Sequence, residues 1–261
     1  MLKVRTFTMA KYYEHPTQYS DDEWEARVNL AGVYRVFAYL GWDESIYNHL
    51  SLRVPGKEDH FLINPFGLHY SEVTASNLVK VDIDGNIIGH SDWPINPAGF
   101  TFHGQIHKQV KGGHCVMHVH TTPTLAVCCL EEGLSFSNFY SAQLYGKVAY
   151  HDFEGITVHA DEGERILKSA GDKQVLLLRN HGPVVIGETL AQAFALMWLV
   201  NRACEAQLAS MSMGKVKEIP VPVLEKCVRD SLNFNPKYGA GEDALAAMIR
   251  IVERQDPSFK R

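Results

Sequence analysis

The sequence predicts an α/β domain in which helices cover both faces of a central sheet. Three observations predict it. Short runs of aliphatic and β-branched residues recur along the chain, separated by stretches with helical period. No repeat, low-complexity tract or linker divides the middle. The length of 261 residues, 46% of them hydrophobic, suffices to bury a core without disulfides.

The elements run in order. Residues 1–19 show no period and read as an N-terminal arm. Ser20 and Glu23 fit a capping box, the hydroxyl and the carboxylate each taking an early backbone N–H. Trp24, Val28, Ala31, Tyr34 and Ala38 then recur at helical spacing, Leu30, Val33 and Phe37 widen the stripe, and Gly41 stops it. His49–Val54 and His60–Ile63 read as strands. Val79–Asp82 and Ile87-Ile88 flank a hairpin-like turn at Asp84-Gly85-Asn86. A helix is expected from Pro97 to Val110, ended by Gly112-Gly113, and a strand over His114–His120. Thr122-Pro123 opens a helix, and Lys147–Tyr150 forms another strand. Asp161 and Glu164 resemble a second capping box, for a helix to Ala170. Val175–Leu178 and Val184–Ile186 are strands around Asn180-His181-Gly182-Pro183. Thr189 and Gln192 cap a long apolar helix to Met211. The domain is therefore expected over residues 20–212. Residues 213–261 form a C-terminal extension with one helix near Glu242–Val252. Arm and extension are expected to pack against other subunits.

Composition excludes several function classes. A net charge of −5, from 25 basic and 30 acidic residues, argues against a nucleic-acid binder. No apolar run reaches the length of a membrane span, and Met1 to Ser20 lacks the apolar core of a signal peptide. Five cysteines, Cys115, Cys128, Cys129, Cys204 and Cys227, form no CxxC pair. A reducing, cytoplasmic setting is expected.

The unusual number is 13 histidines. His118 and His120 alternate with Val119, so on a strand both imidazoles share a face, with Cα atoms about 6.6 Å apart, two rises of roughly 3.3 Å. Two imidazoles so placed can converge on one ion. His181 sits in a turn between two apolar strands, where Gly182 permits a bend, and is expected to face a cleft. Three neutral imidazoles leave coordination positions open, as catalytic metal sites do. His103 and His107 lie four apart on a helix and share a face. His103 is a candidate acid/base, and His107 is expected at the surface. His114 lies too far back along its strand to reach the same ion. His49, Arg53 and Asn64 are candidates to line an anion pocket.

Together, Asn48-His49-Leu50-Ser51-Leu52-Arg53, Asn64-Pro65-Phe66-Gly67, Asp82-Ile83-Asp84-Gly85, His118-Val119-His120-Thr121 and Arg179-Asn180-His181-Gly182 resemble the class II aldolase/adducin superfamily. The likeness runs from about Trp24 to Met211. The stretch His60 to Val81, with Ser71–Ser76, is closer to the adducin-like branch than to the sugar-phosphate aldolases. The resemblance implies a three-layer α/β/α fold with a central, mainly antiparallel sheet. It also implies a homo-oligomer, often a homotetramer, and a divalent metal on His118, His120 and His181. Zn is expected, with Fe, Mn or Co as alternatives. Such a metal polarises a carbonyl or enediolate oxygen during C–C cleavage. By the same resemblance Tyr140 lies where some members place a catalytic tyrosine. His49, Arg53, Asn64 and Gly67 become substrate-binding candidates.

The departures bear on the reaction. The sugar-phosphate aldolases carry an acidic residue where this chain has Gly99, and a general acid/base there contributes about 10²–10⁴ in rate. Their phosphate-binding serines align with Pro97 and Ala98, their threonine with Phe66, their asparagine with His49. A phosphate would meet few donors. The expected function is therefore a metal-dependent lyase, an aldolase or decarboxylase. It would act on a small, non-phosphorylated oxo or hydroxy acid through a metal-stabilised enolate, with no nucleic-acid or membrane partner. Two alternatives are a non-haem iron oxidative decarboxylase and a non-catalytic, adducin-like, metal-stabilised scaffold.

Overall fold

Ser20 accepts the backbone N–H of Glu23 and opens α1, Asp21–Leu40. The carboxylate does not close the expected box. Glu23 turns instead to Arg27 and Lys80, each at 3.0 Å. Arg27, 2% exposed, also donates to the carbonyls of Ala75 and Leu78, so the first turn of the helix is tied to a distant loop. Leu30, Val33, Tyr34 and Phe37 are fully buried. Truncating Phe37 to alanine would cost about 3–5 kcal/mol. The computed structural model describes residues 15–157, 160–232 and 237–261, so most of the expected arm lies outside the described residues.

The strands are β1 (His49–Arg53), β2 (His60–Ile63), β3 (Val79–Asp82), β4 (Cys115–His118), β5 (Val148–His151), β6 (Val175–Leu178) and β7 (Gly182–Gly187). They form one sheet in the order β3-β2-β1-β4-β7-β6-β5. Every pairing is antiparallel except β5 with β6, so the sheet is mixed and mainly antiparallel, as expected. The Asp84–Asn86 turn forms, closed by the Asp82 carboxylate on the N–H groups of Asp84 and Asn86. Ile87 adds only a single bridge to Val81, not a strand.

Alternation assigns the two faces. Leu50, Cys115, Met117, Val119, Val175, Leu177 and Val185 pack with α1, α3 (Thr122–Cys128), α6 (Leu190–Met211) and α8 (Glu242–Gln255). Val116, Leu176, Leu178, Val184 and Ile186 pack with α2 (Pro97–Gln109) and α5 (Ala160–Ala170). Helices thus cover both faces of the sheet, the three-layer α/β/α arrangement. α6 is capped as its sequence predicts: Thr189 accepts from Gln192, and Gln192 accepts from Glu188. α5 begins two residues earlier than its acidic pair suggests, and Asp161 lies inside it, paired with Arg165 at 2.8 Å. Two helices lie outside the elements expected from sequence: α4 (Phe139–Ala142), a single turn too short to show a period, and α7 (Val221–Asp230), where Leu224, Cys227 and Val228 do recur at helical spacing behind Pro220 and Pro222. Pro222 lies in the first turn of α7, where its missing N–H costs nothing.

The end of the extension packs on its own chain. A Cβ on Gly32 of α1 would stand 2.7 Å from Ile249 of α8. Phe259 is fully buried, and its carbonyl accepts from Ala75. No helix among the described residues is long and apolar enough to cross a membrane.

Candidate functional site

β1 and β4 are neighbours, and their register sets His49 directly opposite His118. Both side chains point to the α2 face, since Leu50 and Met117 point to the other. β4 ends at His118, so His120 lies just past the strand rather than on it. The backbone still brings its ring within 4.5 Å of the His118 ring, centre to centre. His181 arrives from the β6–β7 turn, where Asn180 adopts a left-handed conformation (φ 57°). Gly182 allows that turn to close. A Cβ there would sit 2.5 Å from the Val119 carbonyl and 3.1 Å from the His120 ring.

The ring nitrogens of His118, His120 and His181 thus converge, all within 4.8 Å of one another. His118 is fully buried, and the other two are half-buried. Its Nδ1 donates to the Pro183 carbonyl at 2.9 Å, which leaves Nε2 bare and facing the cluster, 2.7 Å from His120 Nε2. Burial first, and mutual repulsion second, lower the pKa of His118 well below the ordinary 6.5 and that of His120 to about 4. Burial lowers His181 too. All three are therefore neutral imidazoles near pH 7, the state that ligates a metal. Three convergent nitrogen donors with no carboxylate fit a divalent ion of zinc type with open positions.

A second group of imidazoles lies behind the first. His49 stacks on His118 with ring centres 5.0 Å apart. Its Nδ1 meets His103 Nε2 at 2.9 Å. Ser51 Oγ bridges His103 Nδ1 at 2.6 Å and His107 Nε2 at 2.7 Å. His107 Nδ1 ends on the Gly113 carbonyl at 2.7 Å. His107 is only 2% exposed, which corrects its expected surface position: its helix turns both histidines toward β1, where Ser51 satisfies them. Burial lowers the pKa of His49 and His107 to about 3 and that of His103 well below its ordinary value. Ser51, not among the expected site residues, shares the face of His49 by simple strand alternation.

The other candidates divide. Asn64 is buried. Its Oδ1 accepts from Tyr34 at 3.0 Å, while its Nδ2 is buried without a partner. Gly67 lies three residues on in a left-handed conformation (φ 107°), and a Cβ there would stand 3.2 Å from Trp93. Arg53 is not brought to the cluster. It lies at the far end of β1, its guanidinium on the His107 carbonyl, lining a separate cavity of about 470 Å³ with Glu58, Asp59 and His114. Tyr140 is also elsewhere. It lies beneath the Arg202 guanidinium and lines an apolar cavity of about 430 Å³ with Phe194, Trp198 and Met248.

The absence of a side chain at Gly99 has a steric reason. A Cβ there would stand 2.6–2.8 Å from three atoms of the His49 ring. The imidazole thus occupies the space that any side chain at this position would need.

Comparison with known proteins agrees with this architecture. The family described as Class II Aldolase and Adducin N-terminal domain matches residues 28–208. A Caulobacter vibrioides chain named "Putative aldolase class 2 protein" is 40% identical over 243 residues, 92% of this chain and 93% of that one. Alpha-adducin of Rattus norvegicus is 42% identical over 249 residues, which are 90% of this chain but 34% of that protein. Among solved structures, an aldolase II superfamily protein from Pseudomonas syringae superposes with a TM-score of 0.87 at 38% identity, covering 94% of this chain and 98% of that one. L-Fuculose 1-phosphate aldolase from Glaciozyma antarctica superposes at 0.81 with 26% identity, covering 96% and 97%. With the sheet order, the histidine cluster and these likenesses together, the chain belongs to the class II aldolase and adducin N-terminal domain family.

Proposed function

We propose that the chain is a lyase, an aldolase or decarboxylase, for a non-phosphorylated oxo or hydroxy acid, with a divalent metal held by His118, His120 and His181. The observation that carries this reading is the convergence of three neutral imidazoles within 4.8 Å. A metal bound there supplies Lewis-acid polarisation of a substrate carbonyl oxygen. Zinc suits the donor set, with Fe, Mn or Co as the other ions to test.

The chain's own residues do the rest. Pro183 fixes the orientation of His118 through its carbonyl, the outer partner that ligating histidines ordinarily have. Asn64 is held at Tyr34 on the α1 side of the sheet and is not assigned a substrate contact. His103 acts through His49, because both its ring nitrogens are occupied. A phosphate finds little to bind. Pro97 has no N–H, the N–H of Ala98 is taken by Asn96, and that of Phe66 by the Pro94 carbonyl. The same reading makes the protein a cytoplasmic homo-oligomer, a homotetramer by family likeness, which light scattering reads directly.

A second reading is a metal-stabilised scaffold without turnover, favoured by the 42% identity to alpha-adducin together with Gly99. Metal analysis of the purified protein, followed by a panel of oxo and hydroxy acids, tests the proposal. Near-stoichiometric metal with cleavage of one acid supports the lyase; bound metal with no turnover across the panel overturns it. A His120→Ala variant separates the two. An intact oligomer that loses turnover supports catalysis, and unfolding or subunit loss supports the scaffold.

A further inference from the structure

The inner histidine row has a direction, and one backbone atom sets it. The Gly113 carbonyl can only accept, so His107 Nδ1 carries a proton and donates to it. His107 is buried, and no described carboxylate pairs with it, while the Arg53 guanidinium lies on its own carbonyl. A second proton on the ring is therefore disfavoured, and Nε2 is bare. The Ser51 hydroxyl must then donate its single proton to His107 Nε2. Toward His103 the same oxygen can only accept, so His103 Nδ1 carries the proton there. His103, fully buried and also without a described carboxylate partner, is neutral, and its Nε2 is bare. That nitrogen must accept, so His49 Nδ1 donates to it. His49 in turn is left with an unprotonated Nε2, the only nitrogen of the row that makes no hydrogen bond among the described residues. It lies at the ring edge next to Gly99, 2.8 Å from where a Cβ would be, in the ring that stacks on His118.

We propose that the row from the Gly113 carbonyl through His107, Ser51 and His103 locks His49 as its Nδ1–H tautomer, so that Nε2 is a fixed acceptor beside the His118 cluster and the site selects a substrate that offers it a hydroxyl, a hydroxy acid rather than an oxo acid. The selectivity rests on the reading of the cluster as the substrate site; the tautomer lock does not. A lone pair attracts an O–H group and repels a carbonyl or carboxylate oxygen. His49 is thus unsuited to hold a carboxylate, and its ring takes both the space and the accepting character of the acidic group missing at Gly99. His103, Ser51 and His107 are positioning residues, since they act through His49.

The tautomers are directly observable. In the full-length protein labelled with ¹⁵N-histidine, without added metal, long-range ¹H–¹⁵N spectra should show a pyrrole-like Nδ1 and a pyridine-like Nε2 for His49, His103 and His107. A protonated Nε2 on His49 overturns the lock, with no variant needed. In Ser51→Ala, His107 should keep its tautomer while His49 and His103 redistribute toward Nε2–H. Unchanged spectra for those two overturn the relay. The selectivity is read on zinc-loaded protein with lactate and pyruvate, which differ only at position 2, CH–OH against C=O. Lactate should bind roughly fivefold tighter, the worth of one neutral hydrogen bond, and should shift the His49 Nε2 resonance. Equal affinities, or no binding of lactate, overturn the selectivity. Failure to retain zinc at all counts instead against the metal reading and leaves the tautomer result standing.

Discussion

The molecule holds two groups of three histidines, packed ring against ring, and they are built differently. In the outer group, ring nitrogens of His118, His120 and His181 converge toward a common point. In the inner group, His49, His103 and His107 pass hydrogen bonds along a line through Ser51. Each group is anchored by one backbone carbonyl, Pro183 for the outer and Gly113 for the inner. Beyond the anchor the two diverge. The outer nitrogens converge on one point with a single contact between them, His118 Nε2 to His120 Nε2 at 2.7 Å, an arrangement that a cation could complete. The inner nitrogens alternate donor and acceptor and complete themselves, except at the His49 end. Residue type alone does not separate a metal centre from a positioning network; the direction of the lone pairs does.

The comparison breaks most visibly at the outer group. His181→Ala should lower zinc affinity by more than the roughly 100-fold typical of outer-partner changes, with the fold retained by circular dichroism. Zinc retained at full affinity would dissolve the distinction between the groups. At the inner group the loss should fall on stability instead. His107→Leu leaves Ser51 and the Gly113 carbonyl without their partner and should cost about 3 kcal/mol in urea unfolding, at 1–3 kcal/mol per orphaned group, with zinc stoichiometry unchanged.

Acid sharpens the contrast further. The folded pKa of His107, about 3, lies below its unfolded value near 6.5. Its contribution to stability is therefore complete above pH 6.5 and is lost as pH falls toward 3, because the unfolded chain binds the proton first. Metal-free protein should lose stability across that window. The slope in His107→Leu should be shallower by about 1.4 kcal/mol per pH unit, one proton's worth. Identical slopes would show that His107 is not buried neutral.

Smaller effects test the edges. Gly99→Ala should destabilise by about 1–3 kcal/mol through overpacking against the His49 ring. In a His49→Ala background the penalty should largely vanish, a coupling of about 0.5–3 kcal/mol. Additive effects would remove the steric link between the two positions. Arg53→Ala removes one hydrogen bond to the His107 carbonyl and should matter least, costing about 1 kcal/mol with no change in zinc content, since the side chain lies at the other end of β1.

Much of the fold was legible because its signals are local. Ser20 and Thr189 cap helices through hydroxyls a few residues from their partners. Strand alternation at Cys115–His118 separates the two faces of the sheet. α4 was not legible, being a single turn, whereas α7 carries Leu224, Cys227 and Val228 at helical spacing, a signal that Pro220 and Pro222 obscure. The candidate site divides in the same way. His118 and His120 are two residues apart, so their pairing is visible in sequence, and it survives even though the strand stops between them.

The sequence by itself determined the family, the alternation of strands and helices, and the histidine supply, because each is encoded in residue types and short spacings. Only the tertiary structure decided which histidines meet. β1 and β4 had to pair in the register that sets His49 against His118, and the helix after Asn96 had to turn His103 and His107 inward onto Ser51. The same register carried Arg53 away from the cluster. Hydrogen bonds across 54 and 65 positions, His49 to His103 and His118 to Pro183, depend on how sheet and helix pack. Packing is a property of the whole chain, and no local window contains it.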